Sequence, residues 1–201
     1  MYFRNMQLPA LLLHSIEHTK GFDKTAFEDV HASGEQVVSV RMNPLKSPML
    51  NGEWASGNRQ EVIDNGQEKT HHSSLITHHP VPWSSYGYYL SQRPSFTLDP
   101  LLHAGAYYVQ EASSMFLEQA LKQSVDLVQP LLVLDLCAAP GGKSTLLQSI
   151  VSNESLLVSN EVIQTRVNIL KENVIKWGAG NVVVTNNDPA AFSKLHGLFD
   201  V

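Results

Sequence analysis

The sequence has one cysteine, Cys137, and that scarcity excludes an intrachain disulfide and any cysteine-rich zinc centre. A single thiol suits a reducing compartment, so a cytoplasmic location is expected. A cationic excess is also missing. Lys and Arg number 14 against 19 Asp and Glu, a formal charge of −5, so there is no general basic surface of the kind that neutralises phosphates. A nucleic-acid partner would have to meet a local patch. No window approaches the roughly 18 consecutive apolar residues that read as a membrane-spanning helix. The apolar stretch near the N-terminus is interrupted by Arg4, Asn5 and Gln7 and lacks a small-residue cleavage pattern after it, which argues against a signal peptide. His71, His72, His78 and His79 stand close together, but no carboxylate or cysteine frames them at a metal-ligand spacing; a solvated loop is the reading, and no metal is expected.

What is present is ordinary globular material, 43% hydrophobic and 16% charged over 201 residues, enough for one sizeable core and a small satellite. Leu8, Leu11, Leu12 and Ile16 recur at helical spacing and predict an amphipathic helix over residues 7–18, with a second short one over 24–30. The β-branched run at 36–41 predicts a strand, stopped by Asn43-Pro44. Residues 51–79 are polar and without period, a long loop or flexible insertion. Aromatic and Pro-rich sequence then predicts short strands and turns, a strand at 107–109 and a helix over 111–123 with Ala112, Met115, Phe116, Ala120 and Leu121 on its apolar face. Tyr86, Tyr88, Tyr89, Tyr107 and Tyr108 are read as packing before base stacking, and Arg41 and Lys46 as surface cations with RNA phosphates as the alternative.

From residue 131 the pattern becomes strand, helix, strand, helix, strand. LLVLDL (131–136) is a continuous apolar run, as in a parallel strand buried on both faces. LLVSN (156–160) is the next strand. A long helix follows with Ile163, Val167, Leu170, Val174 and Trp177 at alternating spacings of four and three, ending at Gly178; then NVVVT (181–185) and, at 198–201, the start of a fourth strand. This series predicts a doubly wound α/β domain whose ligand lies at the carboxyl ends of the strands, where the loops at 137–142, Glu161 and 186–189 converge.

Asp135-Leu-Cys-Ala-Ala-Pro-Gly-Gly-Lys143-Ser144 runs from a strand through a tight loop of small residues into a helix, so a ligand can approach the backbone and meet free N–H groups. A Walker A loop needs a glycine where Cys137 stands, and a dinucleotide fingerprint needs more than the adjacent Gly141 and Gly142. Glu161, 19 residues after Gly142 at a strand tip, is placed to accept ribose hydroxyls, and Asp188, after the third strand, to accept from an adenine amino group. Plainer uses stay open: a helix N-terminal carboxylate for Glu161 and a cap before Pro189 for Asp188. Carboxylates around a sulfonium, with no magnesium to hold, suit S-adenosylmethionine better than a triphosphate.

LDLCAAPGGKS, together with VRMNPLKS and LLHAGAYYVQEASSMFLEQAL, resembles the Sun-type family of RNA 5-methylcytosine methyltransferases, particularly bacterial members acting on small-subunit ribosomal RNA. The resemblance covers most of the chain, with 51–79 the chief exception. It implies a small α+β N-terminal domain over 1–105 and, over 106–201, the first half of a Rossmann-type S-adenosylmethionine-dependent methyltransferase domain that stops in its fourth strand. It also implies that Cys137, Ala138, Ala139, Pro140, Gly141, Gly142 and Lys143 line the methionine end of the cofactor, Glu161 its ribose and Asp188 its adenine, with Arg166 a further member of the pocket. The family adds a cysteine thiolate to cytosine C6, so that C5 becomes nucleophilic, and uses a second cysteine for release. Those cysteines belong to Pro-Cys and Thr-Cys motifs after the fourth and fifth strands, expected beyond Val201, so the chain is expected to bind cofactor without turning over. Structured RNA, ribosomal before transfer RNA, is the expected partner; a noncatalytic RNA-binding or assembly protein and a nucleotide hydrolase are the alternatives. An apolar sheet edge and face left uncovered predict self-association or partial disorder near the C terminus.

Overall fold

The computed structural model describes residues 8–34, 37–46 and 78–201. Helices α1 (Ala10–Ile16) and α2 (Lys24–Ser33) lie in a unit that ends at Val37. Asp23 starts α2 by accepting the Ala26 N–H at 3.0 Å, and Gly34, with φ +64, ends it. Neither helix buries a residue, and Leu11, expected on an inward face, is 83% exposed. Two helices this short enclose too little space for a core of their own.

The second unit, Val38–Val201, holds two sheets. Strands β1 (Val38–Met42), β2 (His78–Pro80), β3 (Gly87–Leu90) and β4 (Tyr107–Val109) form an antiparallel sheet in the order β2-β3-β1-β4. Val38, Val40, Met42, Leu90 and Tyr107 make its core, with Tyr86 and Tyr88 packed against it, so these tyrosines serve packing. The polar 51–79 segment lies outside the described residues except for His78 and His79, which open β2. His71 and His72 lie outside them too.

A one-turn helix α3 (Pro100–His103) precedes β4, and the helix expected over 111–123 is two, α4 (Ala112–Met115) and α5 (Leu117–Ser124). The break at Phe116 changes the inward face: Phe116 is 56% exposed and Ala120 exposed, while Glu118 is buried. Next come β5 (Leu132–Asp135), α6 (Gly142–Ile150), β6 (Leu156–Asn160), α7 (Gln164–Trp177) and β7 (Val182–Thr185). Strands β5, β6 and β7 are parallel neighbours in that order, with Leu157 between Val133 and Val182. Asp200 N–H donates to Leu132 O and Val201 O accepts from Leu134 N–H, so the expected fourth strand reaches β5's other edge by two backbone bonds, without an assigned strand.

The Rossmann-like sheet departs from expectation in its burial. Val133 and Leu157 pack on Leu121, Leu147 and Val151, and Val182 and Val184 on Leu170 and Val174. These side chains share one face of the sheet. The opposite face carries Leu156 and Val183, 41% and 46% exposed. The apolar run of β5 is thus buried on one face, because α5, α6 and α7 all cover that side. The boundary expected near residue 105 falls just before β4, so it cuts the antiparallel sheet and lies inside the second unit. Among the described residues no helix is long and apolar enough to cross a membrane.

Candidate functional site

The carboxyl ends of β5, β6 and β7 are tied together by Asn160, the last residue of β6. Its buried amide donates to Leu136 O at 3.2 Å and Asn187 O at 3.0 Å, while Oδ1 accepts from Thr185 Oγ1 and Asn187 N–H, both at 2.9 Å. Three of the four bonds cross to the loops beyond β5 and β7 and the fourth to the last residue of β7, so this side chain fixes the spacing of the three loops predicted to converge. Sequence reasoning passed over Asn160; the signal was a polar residue closing an apolar strand at the ligand end.

The loop from Cys137 to Lys143 follows β5 directly. Ala138 N–H donates to Asn160 O at 2.8 Å, and Ala138 O accepts the Gly141 N–H at 2.8 Å, which closes the turn. Gly141 has φ +115, a conformation that strains any L side chain, and a Cβ there would stand 3.3 Å from Leu170 Cδ1. The turn delivers the chain into α6, whose first-turn N–H groups point toward the loop's open side. Cys137, Pro140 and Lys143 are exposed, Gly142 half-buried, and Ala138, Ala139 and Gly141 buried. At the loop's base, Asp135 Oδ2 accepts from Ser144 Oγ at 2.7 Å. Burial raises the Asp135 carboxyl above its ordinary range, against the opposing pull of the Ser144 bond, Lys143 and the Cys137 N–H. Asp135, too, was not among the predicted ligand residues.

Glu161 is buried to 2% exposure at the tip of β6. Oε1 accepts the Ile163 N–H at 3.0 Å, a local turn at the entry to α7. Oε2 is buried and receives no hydrogen bond; Arg166 Nη1 lies 3.3 Å away as an ion-pair partner without hydrogen-bond alignment. Arg166 also donates from Nη2 to Ala139 O at 2.6 Å, so it joins Glu161 to the small-residue loop. Asn173 secures the same loop by donating to Pro140 O at 2.7 Å. Asn186 donates to Glu161 O at 2.7 Å, which holds the third loop against the second. Asp188 is exposed, and its Oδ1 caps the short 3-10 turn Pro189–Lys194 by accepting the Ala190 N–H at 2.8 Å. The plainer reading of Asp188 therefore describes one of its oxygens.

Arg41 departs from both readings given to it, whereas Lys46 is half-buried with its ammonium bonded to backbone carbonyls. Arg41 is fully buried, and Lys46 Nζ donates to Ala104 O and Lys176 O. Asn43 adds bonds to Gly105 O at 2.9 Å and Trp177 O at 2.8 Å. Two carbonyls at the carboxyl end of α7, left without helical partners, are thus met by Asn43 and by a cation suited to the helix dipole.

The residues fit an adenosine-bearing ligand on two observations: a glycine loop that brings backbone within reach, and a buried carboxylate oxygen lacking a donor where a ribose hydroxyl would supply one.

Comparison with known proteins points to one family of methyltransferases. Residues 8–112 match the N-terminal domain of 16S rRNA methyltransferase RsmF, and residues 123–201 match 16S rRNA methyltransferase RsmB/F. Ribosomal RNA small subunit methyltransferase F of Shewanella loihica is 37% identical over 118 residues, 57% of this chain and 24% of that protein. Its counterpart in Aliivibrio salmonicida is 31% identical over 193 residues, 94% of this chain and 37% of that protein. The chain thus spans a quarter to two-fifths of these curated relatives. A solved methyltransferase homologue from Pyrococcus horikoshii shares the fold, with a TM-score of 0.63 at 23% identity, covering 96% of this chain and 61% of that one.

Proposed function

This chain belongs to the RsmF-type family of 16S rRNA methyltransferases, and from that premise we propose that it holds S-adenosylmethionine between the 137–143 loop, Glu161 and Asp188. It is the cofactor-binding part of an enzyme that methylates cytosine C5 in structured RNA of the small ribosomal subunit. The observation that carries the cofactor reading is the buried Glu161 Oε2 without a hydrogen bond, facing Arg166 beside the loop. A buried carboxylate oxygen with an ion pair but no hydrogen bond keeps acceptor capacity that the ribose hydroxyls would fill.

When bound, the cofactor supplies an electrophilic methyl group on a sulfonium. The chain's own residues bind and orient. Glu161 accepts from the ribose hydroxyls while Arg166 keeps its carboxylate aimed and tied to Ala139. The first-turn N–H groups of α6 take the carboxylate of the methionine portion. Asp188 receives the adenine amino group. The nucleophilic role stays outside this chain: Cys137 is its only thiol and is exposed on the cofactor loop, and neither a Pro-Cys nor a Thr-Cys motif occurs in the sequence.

Calorimetric titration of the 201-residue chain with S-adenosylmethionine tests this. Glu161→Ala is expected to weaken binding at least tenfold, about 1.4 kcal/mol, with Asp188→Ala weakening it less and ATP with magnesium failing to compete. A folded chain that does not bind, or a Glu161→Ala variant of unchanged affinity, contradicts the assignment.

A further inference from the structure

Among the described residues Arg41 is the only buried cation, and it lies in β1 of the antiparallel sheet, outside the Rossmann half. All five N–H donors of its guanidinium are engaged, four of them on α6. Nε donates to Gln110 Oε1 at 2.8 Å. Nη1 donates to Thr145 O at 3.1 Å and Ser149 Oγ at 2.8 Å, and Nη2 to Gly142 O at 3.3 Å and Thr145 Oγ1 at 2.6 Å. Thr145 Oγ1 in turn donates to Gly141 O at 2.8 Å, so the contact passes from the arginine into the cofactor loop. The guanidinium carbon stands 4.5 Å above the Trp177 ring, which covers its remaining face. Every acceptor is neutral.

We propose that Arg41 is a positioning residue for the cofactor loop: it fixes the first turn of α6 and, through Thr145, the backbone of Gly141, and places a buried positive charge behind the loop. The inference rests on the cofactor reading above and deepens it, since it makes the site depend on the N-terminal sheet. A fixed positive charge under a helix N-terminus adds to the dipole and favours a carboxylate on the loop's open side. Burial lowers the Arg41 guanidinium to about 9, which leaves it protonated at neutral pH. A phosphate contact from bulk solvent is closed to a side chain with no exposed surface. Lysine in its place would keep the charge but lose the planar fork that reaches Gly142, Thr145 and Ser149 together.

The test compares the 201-residue chain with Arg41→Lys, Thr145→Val and, as a control, Leu121→Ala in the core beneath β5. Amide hydrogen exchange without cofactor is the first readout, and titration with S-adenosylmethionine the second. Arg41→Lys is expected to speed exchange at 141–145 at least tenfold relative to the amides of β6, and to weaken cofactor binding at least tenfold. Thr145→Val should act in the same direction, and Leu121→Ala should lower stability without selective exchange at the loop. Loop exchange in Arg41→Lys that follows the Leu121→Ala pattern overturns the proposal. Should Arg41→Lys not fold, unchanged loop exchange in Thr145→Val overturns it instead. A folded parent that fails to bind S-adenosylmethionine refutes the cofactor reading, and the exchange result still decides whether Arg41 positions the loop.

Discussion

A glutamate on a helix's inward face is held only when its charge is met, and Glu118, in the first turn of α5, is met on every side. Oε1 accepts from Lys122 Nζ at 2.6 Å and Ser85 N–H at 3.0 Å, and Oε2 from Ser84 Oγ at 2.9 Å. Burial alone would raise its carboxyl, but the bonds from Lys122, Ser85 and Ser84 outweigh that and hold it below the ordinary 4.5. A carboxyl lowered by folding contributes stability that is present above pH 4.5 and is lost as pH falls through the lower folded value. Glu118→Gln is therefore expected to lose about 1–3 kcal/mol at pH 7 and to show a flatter loss of stability toward pH 3, read by denaturant unfolding at both pH values. A variant with the parent's pH dependence contradicts this. The sequence placed Ala112, Met115 and Leu121 inward correctly but Phe116 and Ala120 wrongly, because the break after Met115 rotates the face onto Glu118. Glu161 was legible, since its place is set by a strand end and a spacing; its missing hydrogen bond was not, because that depends on where Arg166 lies.

Among the elements, α7 shows how far periodicity carries. Val167, Leu170, Val174 and Trp177 are buried as their spacing predicted, while Ile163 caps the helix and is exposed. The helix ends at Gly178 with φ +89, its N–H donating to Val174 O at 3.1 Å. A Cβ there would find Lys46 Cε at 3.6 Å, ordinary contact, so the cost of Gly178→Ala is conformational, about 1–2 kcal/mol. Gly180→Ala, at a position with open space and no positive φ, is the matched control and should be close to neutral. Equal unfolding midpoints for the two variants would contradict that reading of the helix end. Strand β5 taught the opposite lesson. An apolar run reports hydrophobicity without naming a face, and α5, α6 and α7 all lie on one side of the sheet.

At the scale of the molecule, the Rossmann-like parallel sheet with its intervening helices, and the convergence of three loops at the carboxyl ends of its strands, were legible because strands, helices and short connections are written locally. The link between the two sheets was not. Arg41 reaches Gly142 across 101 residues and Asn43 reaches Trp177 across 134, and no local pattern marks partners so far apart. Arg41 thereby turns inward onto α6, and Asn43 and Lys46 onto the end of α7, so the antiparallel sheet and the Rossmann half form one unit. The central claim is that this unit's loop cluster is a cofactor site, and the direct measurement is amide NMR of the labelled 201-residue chain titrated with S-adenosylmethionine. Saturable shifts at Gly141, Gly142, Glu161 and Asn186 to Asp188 are the predicted result; saturable shifts confined to other residues, or none from a folded chain at millimolar cofactor, would contradict it.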